Sequence, residues 1–544
     1  MGLYFERNWK LSAGVILLIA AFLMIYVPWI IAGQELFRQE SVYAVEALEY
    51  VPGSFVTTAH GVSDLHGSLI FPAATYYLNR ITGLPIENIM RGISCFMLAA
   101  GAVLVYFAAA SQRTSRAGLV ASAFYLTPLI AMEKAVEGNP ATASAFFLLA
   151  AQLVFFYYGV RRSNWNKAWI FSACLISLGF FCGGLMMLFY FIAPMFFFRR
   201  PLSVMSKFKT PGFAAAVLLL VLVAGAKLVP FIVQSGNGLD FFRTSESFLI
   251  YRNKYFLDLA EFAVLLPLRL MPWTLIAWLP FCVALQDLDK TPIFSRYLRT
   301  LTFVILAAVW LLSDTGSRAI FYFLGPLAIQ TGITYELGTR RYGERIRKVL
   351  AVCESGAVML ALAFAVVKFA PEKWLTPFVS LSNSLDFRNT LFFSVSAVFG
   401  GGLLIFAAIF FRLERKKQPL WVILVLISVC IGIFYGIVMA PYRAQVTEKK
   451  RLGADLKKVM KEADCKILYK SGIDDLYGEL FYTGVTVKKL YSIRELPQAE
   501  PVVFLIGTEF PGTADRSWSN LLPNGYTYNN YPLSLWKGVL RDNE

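Results

Sequence analysis

The chain has 544 residues, of which 57% are hydrophobic, and it carries a formal net charge of +16 at pH 7. This apolar fraction exceeds that of soluble domains and excludes an ordinary soluble enzyme. The positive charge does not indicate nucleic-acid binding, because the Lys and Arg residues lie in short connectors between apolar runs. The composition therefore predicts a polytopic α-helical membrane protein with no nucleic-acid partner.

Apolar runs near the roughly 20 residues that cross a bilayer recur along the chain. They predict thirteen transmembrane helices, at 11–33, 89–111, 118–133, 141–160, 168–182, 184–198, 212–233, 262–286, 300–313, 319–337, 349–369, 390–411 and 419–440. If the N-terminus is cytoplasmic, the inner connectors hold more than twice as many Lys and Arg residues as the outer ones. This positive-inside bias predicts a cytoplasmic N-terminus and an external C-terminus.

The first outer loop, 34–88, is long and polar, and it contains both histidines of the chain. Within it, SVYAVEALEYV (41–51) and LIFPAATYYLNRI (69–81) predict two amphipathic helices that lie on the membrane surface. These elements complete a transmembrane domain over 1–440.

The composition turns polar after Pro441. Helical spacing at 445–463 precedes strand-like runs at 466–471, 487–492 and 501–507. This pattern predicts a small α/β domain over 441–544 on the outer side of the membrane.

Ionisable residues at membrane depth are functional candidates by default. The basic candidates at the outer face are Arg243, Arg252, Lys254, Arg269 and Arg318. Cations suit a phosphate that is held and then leaves, and a nearby carboxylate can take the proton of an acceptor. Simpler interpretations are open for three of them: Arg318 extends to the interface, and Arg252 and Lys254 are solvated. Arg269 lies inside a predicted span, so either the boundary is misplaced or its side chain faces a cavity.

His60, Asp64 and His66 have the composition of a metal site, although their spacing is generic. One interpretation is a divalent metal ion as cofactor, with His60 and His66 as candidate ligands. Polar loop histidines without a metal are the alternative, and no other cofactor is indicated.

Six segments together resemble the lipid-dependent glycosyltransferases of the GT-C class. They are QESVYAVEALEY (39–50), LHGSLIFPAATYYLNRITG (65–83), EGNPATASAFFLLA (137–150), LMPWTLIAWLPF (270–281), SRAIFYFLGPLAI (317–329) and APYRAQVTEKKRLGADLKKV (440–459). Their order and spacing are similar to family 39, the bacterial protein mannosyltransferase and aminoarabinose transferase group. The resemblance covers essentially the whole chain.

The chain departs from the family pattern at its catalytic positions. Gln39 stands where the family has an Asp, His66-Gly67-Ser68 replaces Lys-Pro-Pro, and Asn139 occupies a second Asp position. A Gln side chain cannot act as a base, so Glu40, Asp64 or His66 must remove the proton. A register shifted by a residue, or a degenerate member without transferase activity, are the alternatives.

The resemblance implies a transferase that moves a sugar, with inversion, from a polyprenyl-phosphate donor to lipid A, a glycan or a protein at the periplasmic face of the bacterial inner membrane. It implies that Glu40, Asp64, His66 and Gln39 form the catalytic group. It implies lipid-phosphate contacts from Arg318, Arg252, Lys254, Arg243 and Tyr322, and sugar contacts from Glu137, Asn139 and Tyr43. A transporter or flippase of lipid-linked saccharides is the alternative from another class.

Overall fold

The computed structural model describes most of the chain. The described residues are 9–31, 35–36, 38–64, 68–198, 204–235, 255–289, 291–311, 319–369, 409, 412, 418–434, 449–473, 476–490, 492–498, 500–512, 515–522, 526–528 and 531–540. They form a helical bundle followed by a mixed sheet.

The bundle combines long apolar helices with short ones. They are α1 (Trp9–Ile31), α4 (Ile86–Gln112), α5 (Ser115–Leu126), α6 (Leu129–Ala135), α7 (Pro140–Phe155), α8 (Trp165–Gly183), α9 (Met186–Phe197), α10 (Pro211–Ser235), α11 (Tyr255–Arg269), α12 (Thr274–Ala277), α13 (Val283–Gln286), α14 (Pro292–Leu311), α15 (Ile320–Phe369) and α16 (Leu420–Phe434). A π-helical turn, Phe156–Arg161, extends α7, and short 3₁₀ turns cover Met205–Lys209 and Leu279–Phe281. Helices α2 (Arg38–Leu48) and α3 (Ile70–Thr82) lie in the first outer loop.

Local sequence sets several of the helix ends. Thr114 and Asn164 cap α5 and α8, each accepting a hydrogen bond from a backbone N–H three residues on. Pro140 opens α7 in the first helical position, where its missing N–H costs nothing.

Within the described residues, five helices are long and apolar enough to cross a membrane, or up to seven if each of two bent pairs is one crossing. The chain is thus a multi-pass membrane protein. Helices α5 and α6 meet at 60°, and the second pair, within the predicted span 262–286, meets at 102°. That span is therefore broken rather than straight, and the break coincides with the Pro272 segment.

The predicted spans 319–337 and 349–369 are joined by one continuous helix, α15, instead of a loop. Its charged centre, with Arg340, Arg341 and Arg345, contains no Pro or β-branched run that would end a helix. At 1.5 Å per residue the 50-residue helix is about 75 Å long. The total of thirteen spans stays a prediction, since most of 390–411 lies outside the described residues.

The first outer loop contains both of its predicted helices, α2 (Arg38–Leu48) and α3 (Ile70–Thr82). Helix α3 ends at Gly83, whose positive φ of 67° gives a left-handed C-cap. Between the helices lies a hairpin of β1 (Thr57–Ala59) and β2 (Val62–Asp64). His60 and Gly61 both have positive φ, as a two-residue type I′ turn requires.

Residues 449–540 contain helices α17 (Lys449–Glu462) and α18 (Tyr477–Thr483) and a five-stranded sheet. The strands are β3 (Ile467–Ser471), β4 (Thr486–Leu490), β5 (Val502–Gly507), β6 (Arg516–Asn520) and β9 (Ser534–Leu540), in the order β4-β3-β5-β9-β6. Short strands β7 (Thr527–Tyr528) and β8 (Tyr531–Pro532) form a separate ribbon. Strand β3 is parallel to β4 and β5, whereas β9 is antiparallel to its neighbours. Strands β3, β4 and β5 lie where the sequence predicts strands.

The sheet domain contacts the first outer loop at several points, among them Glu35, His60 and the packing of α18 on α2. The Glu35 carboxylate accepts hydrogen bonds from the backbone N–H groups of Lys449 (3.2 Å) and Lys450 (3.0 Å), at the positive end of α17. The His60 ring stacks on the Tyr477 ring with centroids 4.6 Å apart. The C-terminal domain therefore holds both the start of the loop and the tip of its hairpin.

Candidate functional site

Several helix ends meet beneath the first outer loop. The Leu69 N–H donates to the Phe181 carbonyl near the end of α8 (2.7 Å). Val56, before the hairpin, packs on Phe231 of α10, and β2 also contacts α10. The starts of α4 and α7 join the same region through Ser94 and its bonds to residue 139. The predicted outer-face residues that the structure describes collect at this end.

Glu40 lies in a buried ion pair with Arg91 of α4. Arg91 Nε donates to Glu40 Oε1 (2.7 Å) and Nη2 donates to Oε2 (3.1 Å). Glu40 is 3% exposed and Arg91 is fully buried. Arg91 Nη2 also donates to the Glu35 carbonyl (3.1 Å), so one guanidinium fixes α2 and the chain before it. The predicted proton acceptor therefore has both carboxylate oxygens engaged.

Gly138 completes the environment of Glu40. Its backbone N–H donates to Glu40 Oε1 at 2.8 Å. A Cβ atom at this position would lie 2.7 Å from Met90 Cβ and 3.2 Å from Glu40 Oε1. The close approach of the chain thus requires glycine.

Glu137 is adjacent to Gly138 and has a different environment. It is 8% exposed, and Lys134 Nζ donates to its Oε2. Burial raises the pKa of Glu137 to about 7, although the Lys134 ammonium opposes that shift. A carboxyl group with this pKa can accept a proton near neutral pH.

Asn139 and Tyr43, predicted to contact sugar, have structural partners. Asn139 Oδ1 accepts from the Ala141 N–H (2.9 Å) and caps α7, and its own N–H donates to Ser94 Oγ (2.7 Å). The Tyr43 ring meets Phe71 edge-on at 6.1 Å. Gln39, by contrast, is exposed on α2.

His60 is buried at the hairpin tip. Its N–H donates to Glu49 Oε1 (3.1 Å), and its carbonyl accepts from the Lys489 N–H (2.8 Å). Burial, with smaller contributions from Lys470 and Lys489, lowers the pKa of His60 to about 3. The imidazole is therefore neutral and serves to join the hairpin to the C-terminal domain.

The described residues contain no group of three His, Cys, Asp or Glu side chains able to hold a metal ion. His66 and the Asp64 side chain lie outside the described residues, so the divalent-metal hypothesis stays a prediction. Of the predicted phosphate ligands, Arg243, Arg252, Lys254 and Arg318 also lie outside them. Tyr322 is buried at the start of α15, with its ring 5.0 Å from that of Tyr190.

Lys227 is a candidate that the sequence reasoning missed. It lies in the apolar helix α10, is 1% exposed, and places Nζ 5.6 Å from the Phe180 ring centroid. A charge in the run VLVAGAKLVPFIV (221–233) is costly in a bilayer and marks functional sites. That signal was present in the sequence.

The whole chain is similar to a solved membrane-protein structure. ArnT from Cupriavidus metallidurans bound to undecaprenyl phosphate superimposes with a TM-score of 0.64 at 13% identity, over 97% of this chain and 98% of that chain. Its apo state gives 0.63 over the same shares. The chain has the GT-C fold of ArnT. The family 39 resemblance of the sequence is thus confirmed at the level of the fold.

The apo oligosaccharyltransferase from Archaeoglobus fulgidus matches with a TM-score of 0.45 at 11% identity, over 89% of this chain and 65% of that chain. No family model and no curated protein matches the sequence.

Proposed function

We propose that the chain is a glycosyltransferase that moves a sugar from a polyprenyl-phosphate donor to a cell-envelope acceptor at the outer face of the bacterial inner membrane. The acceptor class comprises lipid A, a glycan or a protein. Support comes from the ArnT-like fold over nearly the full chain and from buried ionisable residues at the end beneath the outer loop. In this orientation the N-terminus is cytoplasmic and the C-terminal domain is periplasmic.

The proposal depends most on the buried carboxyl group of Glu137. A buried carboxyl group with a pKa of about 7 is poised to accept a proton at neutral pH. It lies two residues before Asn139, which occupies a family Asp position. Because Asn139 caps a helix and cannot act as a base, Glu137 takes over the acid–base role in this proposal.

The reaction forms one bond and breaks another at the anomeric carbon. The acceptor hydroxyl transfers its proton to the Glu137 carboxylate, and its oxygen bonds to the anomeric carbon. The bond from that carbon to the donor phosphate oxygen breaks, and the electron pair leaves with polyprenyl phosphate. Attack opposite the leaving group inverts the configuration.

Lys227 supplies positive charge for the departing phosphate. A buried ammonium interacts more strongly with a developing anion than a solvated one does. Arg243, Arg252, Lys254, Arg318 and Tyr322 remain the proposed additional phosphate contacts, and Asp64, His66 and Gln39 the proposed acceptor contacts. Glu40 positions α2 through Arg91 in this scheme.

The test is transfer of radiolabelled sugar from a panel of polyprenyl-phosphate sugars to membrane-extract acceptors by the purified full chain. Glu137→Gln should lower kcat by about 10²–10⁴-fold, as loss of a general base does. Lys227→Met should lower kcat with the lipid donor. Transfer at the wild-type rate by Glu137→Gln would contradict the assignment.

Two matched variants control for nonspecific damage. Glu133→Gln removes a carboxylate whose Oε1 lies 3.8 Å from the same Lys134 ammonium. Lys209→Met removes an exposed ammonium in the 3₁₀ turn before α10. Both should retain activity.

A transporter of lipid-linked saccharides is the second candidate. The two bent helix pairs favour it, because broken helices commonly form transporter binding sites. Movement of labelled lipid between leaflets, without sugar transfer from any donor, would support this candidate. Donor binding with neither transfer nor transport would indicate a degenerate family member.

A further inference from the structure

A cavity of about 380 Å³ lies between the end of α2 and the β1–β2 hairpin. Its polar lining, among the described residues, comes from Glu49, Tyr50, Ser54, Thr57 and Thr58. The volume falls in the range of small-molecule sites. None of these groups has a part in the transfer chemistry proposed above.

The hairpin turn fixes the Glu49 carboxylate. Oε1 accepts from the His60 N–H (3.1 Å), and Oε2 accepts from Thr58 Oγ1 (3.2 Å) and the Gly61 N–H (3.3 Å). Burial raises the pKa of Glu49 despite these three donors. A carboxylate has about four acceptor positions, so it retains capacity for a ligand donor.

Thr57 lines the cavity and has a buried hydroxyl. The residue is 3% exposed, and its Oγ1 has no hydrogen-bond partner within the described part of the chain. A buried hydroxyl without a partner is unfavourable. A ligand hydroxyl in the cavity would reduce that cost.

Aromatic rings flank the same site. Tyr50 packs against Tyr76 (5.5 Å between centroids) and Tyr77 (6.2 Å). A pyranose ring has hydroxyl groups around its edge and C–H groups on its faces. It therefore fits a cavity that combines acceptors, hydroxyls and an aromatic wall.

The charge of the lining restricts the ligand further. None of the described lining residues is Lys or Arg, and Glu49 would repel a phosphate or a uronate. Val51 in the cavity lining is exposed by 64%, and Phe55, between the lining residues Ser54 and Val56, by 48%. This apolar rim suits a membrane surface, where a glycolipid headgroup would arrive.

We propose that this cavity binds an unphosphorylated neutral or amine-bearing pyranose, as the sugar unit of the acceptor. The identification as acceptor rests on the proposed function, whereas sugar binding by itself does not. Glu49 accepts hydrogen bonds from the hydroxyl or ammonium groups of the sugar, and Thr57 exchanges one with a hydroxyl. The hairpin sets their spacing.

Binding is measured by saturation-transfer NMR and calorimetry on the full chain in a detergent without a sugar headgroup. The probes are methyl α-glucopyranoside, glucosamine and glucose 6-phosphate. The first two should bind, and the phosphate should bind at least tenfold more weakly. Equal or preferential binding of glucose 6-phosphate would overturn the proposal.

Thr57→Val keeps the side-chain shape and should weaken sugar binding about tenfold, which is one 1.4 kcal/mol step in affinity. Thr82→Val, at an exposed threonine on α3, is the matched control and should leave sugar affinity unchanged. Glu49→Gln should also weaken binding, and a thermal melt shows whether the turn persists. Unchanged affinity in Thr57→Val would overturn the proposal.

Transfer assays separate the two hypotheses. Thr57→Val should raise the acceptor KM and leave kcat nearly unchanged, as lost ground-state binding does. Glu137→Gln should lose turnover but keep sugar affinity. Sugar binding in a chain that transfers nothing contradicts only the proposed function. Normal transfer without sugar binding in the cavity contradicts only this inference.

Discussion

Two buried glutamates adjoin Gly138, and their environments differ: Glu137 precedes it in the chain, and Glu40 accepts a hydrogen bond from its backbone N–H. Glu40 receives two hydrogen bonds from Arg91 and one from the Gly138 N–H. Glu137 receives an ammonium donor at one oxygen, and burial raises its pKa to about 7. A carboxylate surrounded by donors fixes structure, whereas one with fewer donors can exchange a proton. The sequence match selected the first, and the local chemistry favours the second.

Removing the partner of Glu40 should have the largest effect on stability. Arg91→Met leaves a buried charge unpaired and should cost about 3–5 kcal/mol of unfolding free energy. The double variant Arg91→Met/Glu40→Met should recover much of that loss, because an apolar pair can replace a buried ion pair. Thermal unfolding in detergent measures both. A double variant no more stable than Arg91→Met would show that the ion pair is not the cause.

Substituting Gly138 should have a smaller effect on the free energy of unfolding. Gly138→Ala forces its new methyl group against Met90 and should cost about 1–3 kcal/mol by overpacking. Gly92→Ala on α4 is the matched control, since nothing lies within 4 Å of its added Cβ. Equal melting temperatures for the two variants would contradict the close packing around Glu40.

Weakening the contact between Glu35 and the C-terminal domain should have the smallest effect on stability. Glu35→Gln removes the negative charge at the start of α17 and should cost about 0.3–1 kcal/mol. The expected result is faster proteolysis between bundle and C-terminal domain, with the bundle intact. Glu462→Gln, exposed in the last turn of α17, serves as the control. Identical cleavage rates would mean that Glu35 does not hold the domain.

Hydrophobic runs predicted most helices, because apolar length and period are local properties. The helices of the first outer loop and strands β3, β4 and β5 followed from local patterns in the same way. The continuity of α15 was not predicted, because Arg340 and Arg341 suggested a loop. No proline lies near them, and Gly338 and Gly343 are accommodated within the helix. The bend after Arg269 coincides with Pro272, a local break signal that the straight span predicted over 262–286 did not take into account.

The site was less predictable than the fold. Arg91 lies 51 residues from Glu40 in the chain, so their pairing is a tertiary property. The pKa of Glu137 depends on burial that periodicity does not give. Lys227 was available to sequence reasoning as a charge within an apolar span. Asp64, His66 and Arg318 stay predictions, because their side chains lie outside the described residues.

The pH dependence of kcat/KM tests the role of Glu137 most directly. The base must be ionised to accept a proton, so activity should rise with pH through about 7 and level off above it. This rise with pH should be absent from the profile of Glu137→Gln, whose residual activity is lower. A flat wild-type profile of kcat/KM from pH 5 to 8, or the same rise in the variant, would contradict the account.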